Sequence, residues 1–156
     1  MSTRDLHPSP DLDESRDAIQ GVLVRYARAV DTRDWTLFRS CFTSDVIADY
    51  GEIGSWKGIE SLAEFMIQGH LGMGRTQHLL TNFHMEIEDD RADTTTYVHS
   101  VTVLASHLDD WIDTIGTYED QFVRQTGEWR IARRTFRTTR LTVSPSLTSA
   151  LRGPTH

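Results

Sequence analysis

The order of hydrophobic periodicities along the chain predicts an α+β fold, in which three N-terminal helices pack on a strongly curved, mainly antiparallel sheet to form a cone-shaped barrel. Three observations carry this. Apolar residues recur at helical spacing in the first half, at Ile19, Val22, Leu23, Tyr26, Ala27 and Val30, again at Trp35, Phe38, Cys41 and Phe42, and again at Ile59, Leu62, Ala63, Phe65 and Met66. From His78 onward the chain turns to long runs rich in Thr, Val, Ile, Tyr and Phe, the residues that suit a pleated surface. The runs are joined by short polar connections, which close antiparallel hairpins and leave no room for crossover helices.

The first helix begins near residue 13, where Asp11 followed by Glu14 forms a carboxylate version of the capping box. It ends at Asp31-Thr32-Arg33-Asp34, short polar residues that break the stripe, and Asp34 is placed to cap the second helix. A short strand over residues 46–50 turns through Gly51 and Gly54 into a second extended piece over 55–57, and Gly58 precedes the third helix. The sheet is then built from runs at 78–88, 92–107, 111–124 and 129–143. In the first of these, His78, Leu80 and Asn82 share one face, with His84 joining them unless a bulge intervenes. Leu79, Thr81, Phe83, Met85 and Ile87 share the other, and the pattern leaves open which face is inner. Residues 1–12 read as a flexible arm, 13–143 as a single domain and 144–156 as a tail rich in Pro, Ser, Thr and Gly.

Composition narrows the partners. The 156 residues carry a formal charge of −7, which argues against nucleic acid or an anionic membrane surface and leaves a small molecule as the expected ligand. One cysteine, Cys41, excludes an internal disulfide framework and suits a reducing cytoplasm. No apolar run approaches the ~20 residues that span a bilayer, and the first ten residues lack the apolar core of a signal peptide. His70, His78, His84, His99 and His107 fall in the central region without a metal-ligand spacing, so no metal and no cofactor are expected. The dense set Arg130, Arg133, Arg134, Arg137 and Arg140 reads as a solvated face, ion pairs or an oligomer contact.

Asp31 at a helix end, Tyr26 five residues earlier and His78 at the head of the sheet are a carboxylate, a phenol and an imidazole from distant segments. Together they form a set able to move a proton. A carboxylate bonded to one ring nitrogen fixes the tautomer and leaves the other nitrogen as base, and a phenol can donate to an oxygen on which charge develops. Tyr26 also fits the apolar stripe of the first helix, so a core role and a catalytic role remain equally open for it.

The run from Arg25 to Trp35, the run Thr76-Gln77-His78-Leu79-Leu80-Thr81-Asn82 and the closing Gly127-Glu128-Trp129-Arg130-Ile131 resemble the SnoaL-like branch of the nuclear transport factor 2-like superfamily. The branch includes scytalone dehydratase, bile acid 7α-dehydratase and hexachlorocyclohexane dehydrochlorinase. The resemblance implies a cone with a deep pocket and a cofactor-independent lyase or isomerase acting on a small, largely apolar molecule, with dehydratase as the first expectation. It assigns Asp31 and His78 to a His-Asp dyad, Tyr26 to a family tyrosine and Tyr50 to a second pocket tyrosine; with Asn82 on the face of His78, His99 in a later strand, and Phe65 and Trp35 as core or pocket wall, Tyr50 makes up the candidate substrate-binding set. His99 falls in the strand of a second family histidine but out of step with it, and Arg137 and Arg140 stand only approximately where a family arginine stands. The resemblance also implies a homo-oligomer, with a trimer favoured over a dimer. The alternatives are a ketosteroid-isomerase-like or polyketide-cyclase-like enzyme using Asp31 itself as base, or a non-catalytic binding module.

Overall fold

In the computed structural model, which describes residues 10–152, helix α1 (Pro10–Thr32) lies along the inner side of a six-stranded sheet. Its stripe Ile19, Val22, Leu23, Tyr26 and Val30 is buried to within 1% of full burial. At about 1.5–3 kcal/mol for each large apolar side chain fully buried, that face is the main anchor of the helix. Because α1 begins at Pro10, Asp11 lies inside its first turn instead of capping it from residue 13, and proline suits the start of a helix, where its missing N–H costs nothing. Residues 1–9 of the expected arm lie outside the described residues.

Arg33 ends α1 with φ 59°, and Asp34 caps α2 (Trp35–Ser40) by accepting a hydrogen bond from the Leu37 amide at 2.9 Å, as its type and position predict. Strand β1 (Phe42–Asp49) starts four residues earlier than the apolar pattern suggests and pairs antiparallel with β2 (Ser55–Lys57) across a single 3₁₀ turn, Gly51–Ile53. Helix α3 (Ile59–Gly69) follows, and then four long strands: β3 (Met73–Glu88), β4 (Arg91–Leu104), β5 (Trp111–Gln125) and β6 (Glu128–Val143).

The sheet order is β2-β1-β6-β5-β4-β3, antiparallel throughout except for the parallel pair β1 and β6. The sheet curves but does not close, leaving β2 and β3 as its edges. α1 covers the inner side of β3, and α2 and α3 pack against each other and β1. Residues 145–152, expected as part of the C-terminal tail, form helix α4 (Pro145–Arg152). Its start is held by the Ser144 hydroxyl, which donates to Asp110 at 2.7 Å, and by a second hydroxyl contact from Ser146 to the same carboxylate.

The register decides which face of β3 is inner. His78 stands opposite Ser100, and Leu79 opposite His99; pairing breaks between Thr81 and His84, where Asn82 takes φ 54°. This bulge reverses the alternation within one strand. His78 and Leu80 face inward before it, and Phe83, Met85 and Ile87 pack inward after it, so each of the two candidate faces is inner along part of the strand.

Candidate functional site

The end of α1 is fastened to the head of β3 by one side chain. The Arg33 guanidinium donates to the Val30 carbonyl at 2.5 Å, and across the gap to the Gly74 carbonyl and the Thr76 hydroxyl, both at 2.8 Å. This clamp sets Asp31 directly over His78. Asp31 Oδ1 meets His78 Nδ1 at 2.6 Å, and Oδ2 accepts from the His78 backbone amide at 3.0 Å. With both carboxylate oxygens on His78, the carboxylate acts as an acceptor for the Nδ1 proton. That tautomer leaves Nε2 as the free lone pair. The His78 side chain is 9% exposed and that of Asp31 is 22% exposed.

Tyr26, one turn back on α1, places its ring edge-on to His78 with centroids 6.4 Å apart, and its hydroxyl 3.4 Å from that of Tyr118. The Tyr26 ring is buried core, and its hydroxyl faces that of Tyr118.

Behind these rings lies a charge pair. Arg134 donates to Asp120 through Nε and Nη2, both at 2.7 Å, and neither side chain has any exposed surface. The guanidinium is sandwiched between the rings of Tyr26 and Tyr118, at 4.1 and 4.0 Å from their centroids. Burial would push the Arg134 guanidinium down, but the Asp120 carboxylate reverses this and holds it well above the usual arginine range. Burial likewise pushes the phenols of Tyr50 and Tyr118 well above the ordinary tyrosine value, so both are neutral hydrogen-bond donors.

The Tyr50 hydroxyl, Arg134 Nη1 and the Thr96 hydroxyl are buried without a hydrogen-bond partner in the protein. Buried polar atoms are seldom left unpaired, so these three groups keep hydrogen-bonding capacity that the protein itself does not use.

The other expected site residues separate. Trp35 and Phe65 are half-buried against the core, Trp35 packed on Phe38 and His70, and Phe65 stacked on Trp56 with centroids 4.0 Å apart. Asn82 is not a pocket residue: it is the exposed left-handed residue of the β3 bulge. His99 is not one either, because its register partner is the outward-facing Leu79, and its ring bonds Asp113 at 2.8 Å on the outer face. Of the basic cluster, Arg130, Arg137 and Arg140 are exposed and pair with Glu128, Glu119 and Asp113. Arg134 is the exception. Its signal in the sequence is Asp120, which shares a strand face with Tyr118 and Phe122 and so needs a buried cation. Among the described residues no cluster of three or more His, Cys, Asp or Glu side chains is disposed to hold a metal ion, and no helix is long and apolar enough to cross a membrane.

N-terminal helices packed on an open, curved, mainly antiparallel six-stranded sheet are the architecture of a nuclear transport factor 2-like protein. The SnoaL-like domain family matches residues 13–135, and the chain belongs to that family. It is 29% identical over 117 residues to an uncharacterised protein of Mycobacterium tuberculosis, covering 74% of this chain and 80% of that one. Among solved structures it is similar to the hexachlorocyclohexane dehydrochlorinase LinA, with a TM-score of 0.76 at 26% identity over 86% of this chain and 94% of the other. It shares its fold with a protein of Novosphingobium aromaticivorans provisionally named scytalone dehydratase. There the TM-score is 0.78 at 21% identity, over 85% of this chain and 88% of the other.

Proposed function

We propose that the protein is a cofactor-independent lyase that catalyses a dehydratase-type β-elimination on a small, largely apolar organic molecule. The observation that carries this is the 2.6 Å bond from His78 Nδ1 to Asp31, with the second carboxylate oxygen held by the His78 amide. In this reading His78 Nε2 takes a proton from a carbon next to an activating group. The electron pair of that C–H bond forms the new double bond, and the leaving group departs from the neighbouring carbon with the bonding pair. Asp31 holds the ring and stabilises the imidazolium. Tyr50, Tyr26 and Arg134 Nη1 supply donors where negative charge grows on oxygen. The likeness to dehydratase-type and dehydrochlorinase structures supports the same chemistry.

The isomerase alternative, with Asp31 as the base, is less well supported, because both oxygens of Asp31 are engaged by His78 and neither is left directed at a substrate. The test is a screen of β-hydroxy ketones and β-halogenated ring compounds for olefin formation, followed by His78→Ala and Asp31→Asn on any hit. Loss of about 10²–10⁴ in rate on either substitution is expected. Turnover that survives both would overturn the proposal.

A further inference from the structure

Arg33 stands where a helix commonly ends on glycine. Its amide bonds the Val30 carbonyl at 3.2 Å and the Asp34 amide reaches the Ala29 carbonyl at 2.9 Å, the paired closing bonds of a Schellman motif, with Arg33 at the left-handed position and φ 59°. A side chain there crowds its own carbonyl, which is why glycine is favoured. Asn82, Asp89 and Thr126 share the left-handed region, but they are short polar residues at a bulge and two hairpin turns. Arg33 carries a long side chain in the same conformation. A strained residue directs attention to what its side chain does.

The guanidinium works on the sheet edge. β3 ends the strand order, and its pairing with β4 skips from Met73 to Thr76. From this irregular stretch Arg33 Nη2 takes up the Gly74 carbonyl and the Thr76 hydroxyl, each at 2.8 Å. Two residues earlier on α1 and two residues later on β3, Asp31 accepts from the His78 amide at 3.0 Å and meets the ring at 2.6 Å. The end of α1 therefore holds the edge strand at two points, and one of them is the dyad. Burial lowers the Arg33 guanidinium from the usual arginine range and the Asp31 charge opposes this, as expected for a cation drawn partly out of water beside the carboxylate.

We propose that Arg33 is a positioning residue for the dyad: its guanidinium, and not the turn it occupies, fixes the Asp31 carboxylate on His78 Nδ1 and so selects the tautomer with Nε2 free. Without the clamp, Asp31 lies in the last turn of a helix whose end is loosely held, and its side chain divides its time between His78 and water. Each bond to His78 must then order both partners, which weakens it. The inference rests on the dyad reading of the site.

The experiment follows exchange of the His78 Nδ1 proton with water by NMR on the full chain, without substrate. Arg33→Gly, Arg33→Ala, Thr76→Val and Thr76→Ser are compared, with a circular dichroism melt for each. Glycine relieves the left-handed strain and alanine keeps it, so Arg33→Gly is expected to melt above Arg33→Ala. Both are nevertheless expected to quicken exchange alike, by about tenfold or more, as the release of a charge-assisted hydrogen bond does. Thr76→Val keeps the shape of the side chain and removes the acceptor, and it is expected to quicken exchange as well. Thr76→Ser is expected to restore the rate of the unsubstituted chain. Exchange that is unchanged in folded Arg33→Gly or in Thr76→Val overturns the positioning role and leaves the dyad standing. So does exchange that follows the melting temperature, slow in Arg33→Gly and fast in Arg33→Ala, or that is as fast in Thr76→Ser as in Thr76→Val. An Nδ1 proton that exchanges at the rate of free histidine in the unsubstituted chain overturns the dyad reading, and this inference with it.

Discussion

Removing one partner of the Asp120–Arg134 pair is expected to be among the most damaging single changes in the chain. Both side chains are fully buried and joined by two 2.7 Å hydrogen bonds, so Asp120→Ala leaves a guanidinium with neither water nor counter-ion. Breaking a buried pair in this way costs about 3–5 kcal/mol, and the two tyrosine faces recover only a fraction of it. For a chain of this size each kcal/mol corresponds to about 2–4 °C, so Tm should fall by about 6–20 °C. Arg134→Met should cost a similar amount by stranding Asp120. The double variant Asp120→Leu with Arg134→Met should be less destabilised than the sum of the single changes by about 2–3 kcal/mol, because it removes both charges at once. Urea unfolding followed by tryptophan fluorescence measures all three. Single changes costing less than about 1 kcal/mol, or strictly additive ones, would refute the picture of a desolvated, mutually dependent pair.

Three further outcomes follow from local geometry. Gly116→Ala is expected to destabilise by about 1–3 kcal/mol in the same unfolding assay, since a Cβ there would sit 2.5 Å from both the Arg137 carbonyl and the Phe136 ring. At the β3 bulge, Asn82→Gly should be nearly neutral, while Asn82→Val should cost about 1–2 kcal/mol for holding φ 54°. Burial lowers the imidazole of His70 below its ordinary value near 6.5, an effect partly offset by its bond to the Met66 carbonyl. The unfolded chain therefore takes up a proton at this residue before the folded one does. The His70 contribution is present above about pH 6.5 and is lost as pH falls through the lowered value. Stability of His70→Asn should fall less between pH 7 and 5 than that of the unsubstituted chain, and an unchanged pH slope would count against this.

How much the sequence disclosed follows from which signals are local. The stripe of α1, the Asp34 cap and the span of α3 depend on neighbours within one or two turns, and the structure places them close to where the pattern does. Asp31 and His78 were legible because each sits at an element boundary within a run that resembles the family. The inner face of β3 was not, because both alternating sets in that strand are substantially apolar and a single bulge at Asn82 changes their sides. His99 was misplaced for a related reason: only the register with Leu79 shows that it faces away from His78. Arg134 was hidden among four other arginines of the same strand. What separates it is a long-range pairing with Asp120 that no spacing within β6 encodes. Helix α4 has no such local signal, because its start is stabilised by Asp110, 34 residues away from Ser144.

The role of His78 as base depends on which of its ring nitrogens carries the hydrogen. Nitrogen-15 NMR of the His78 imidazole at neutral pH reads the tautomer without any substrate. The hydrogen is expected on Nδ1, facing Asp31, with Nε2 unprotonated and shifted accordingly, and Asp31→Asn should disturb this preference. A neutral His78 found with its hydrogen on Nε2 would have no lone pair to offer a substrate and would contradict the assignment of His78 as the base.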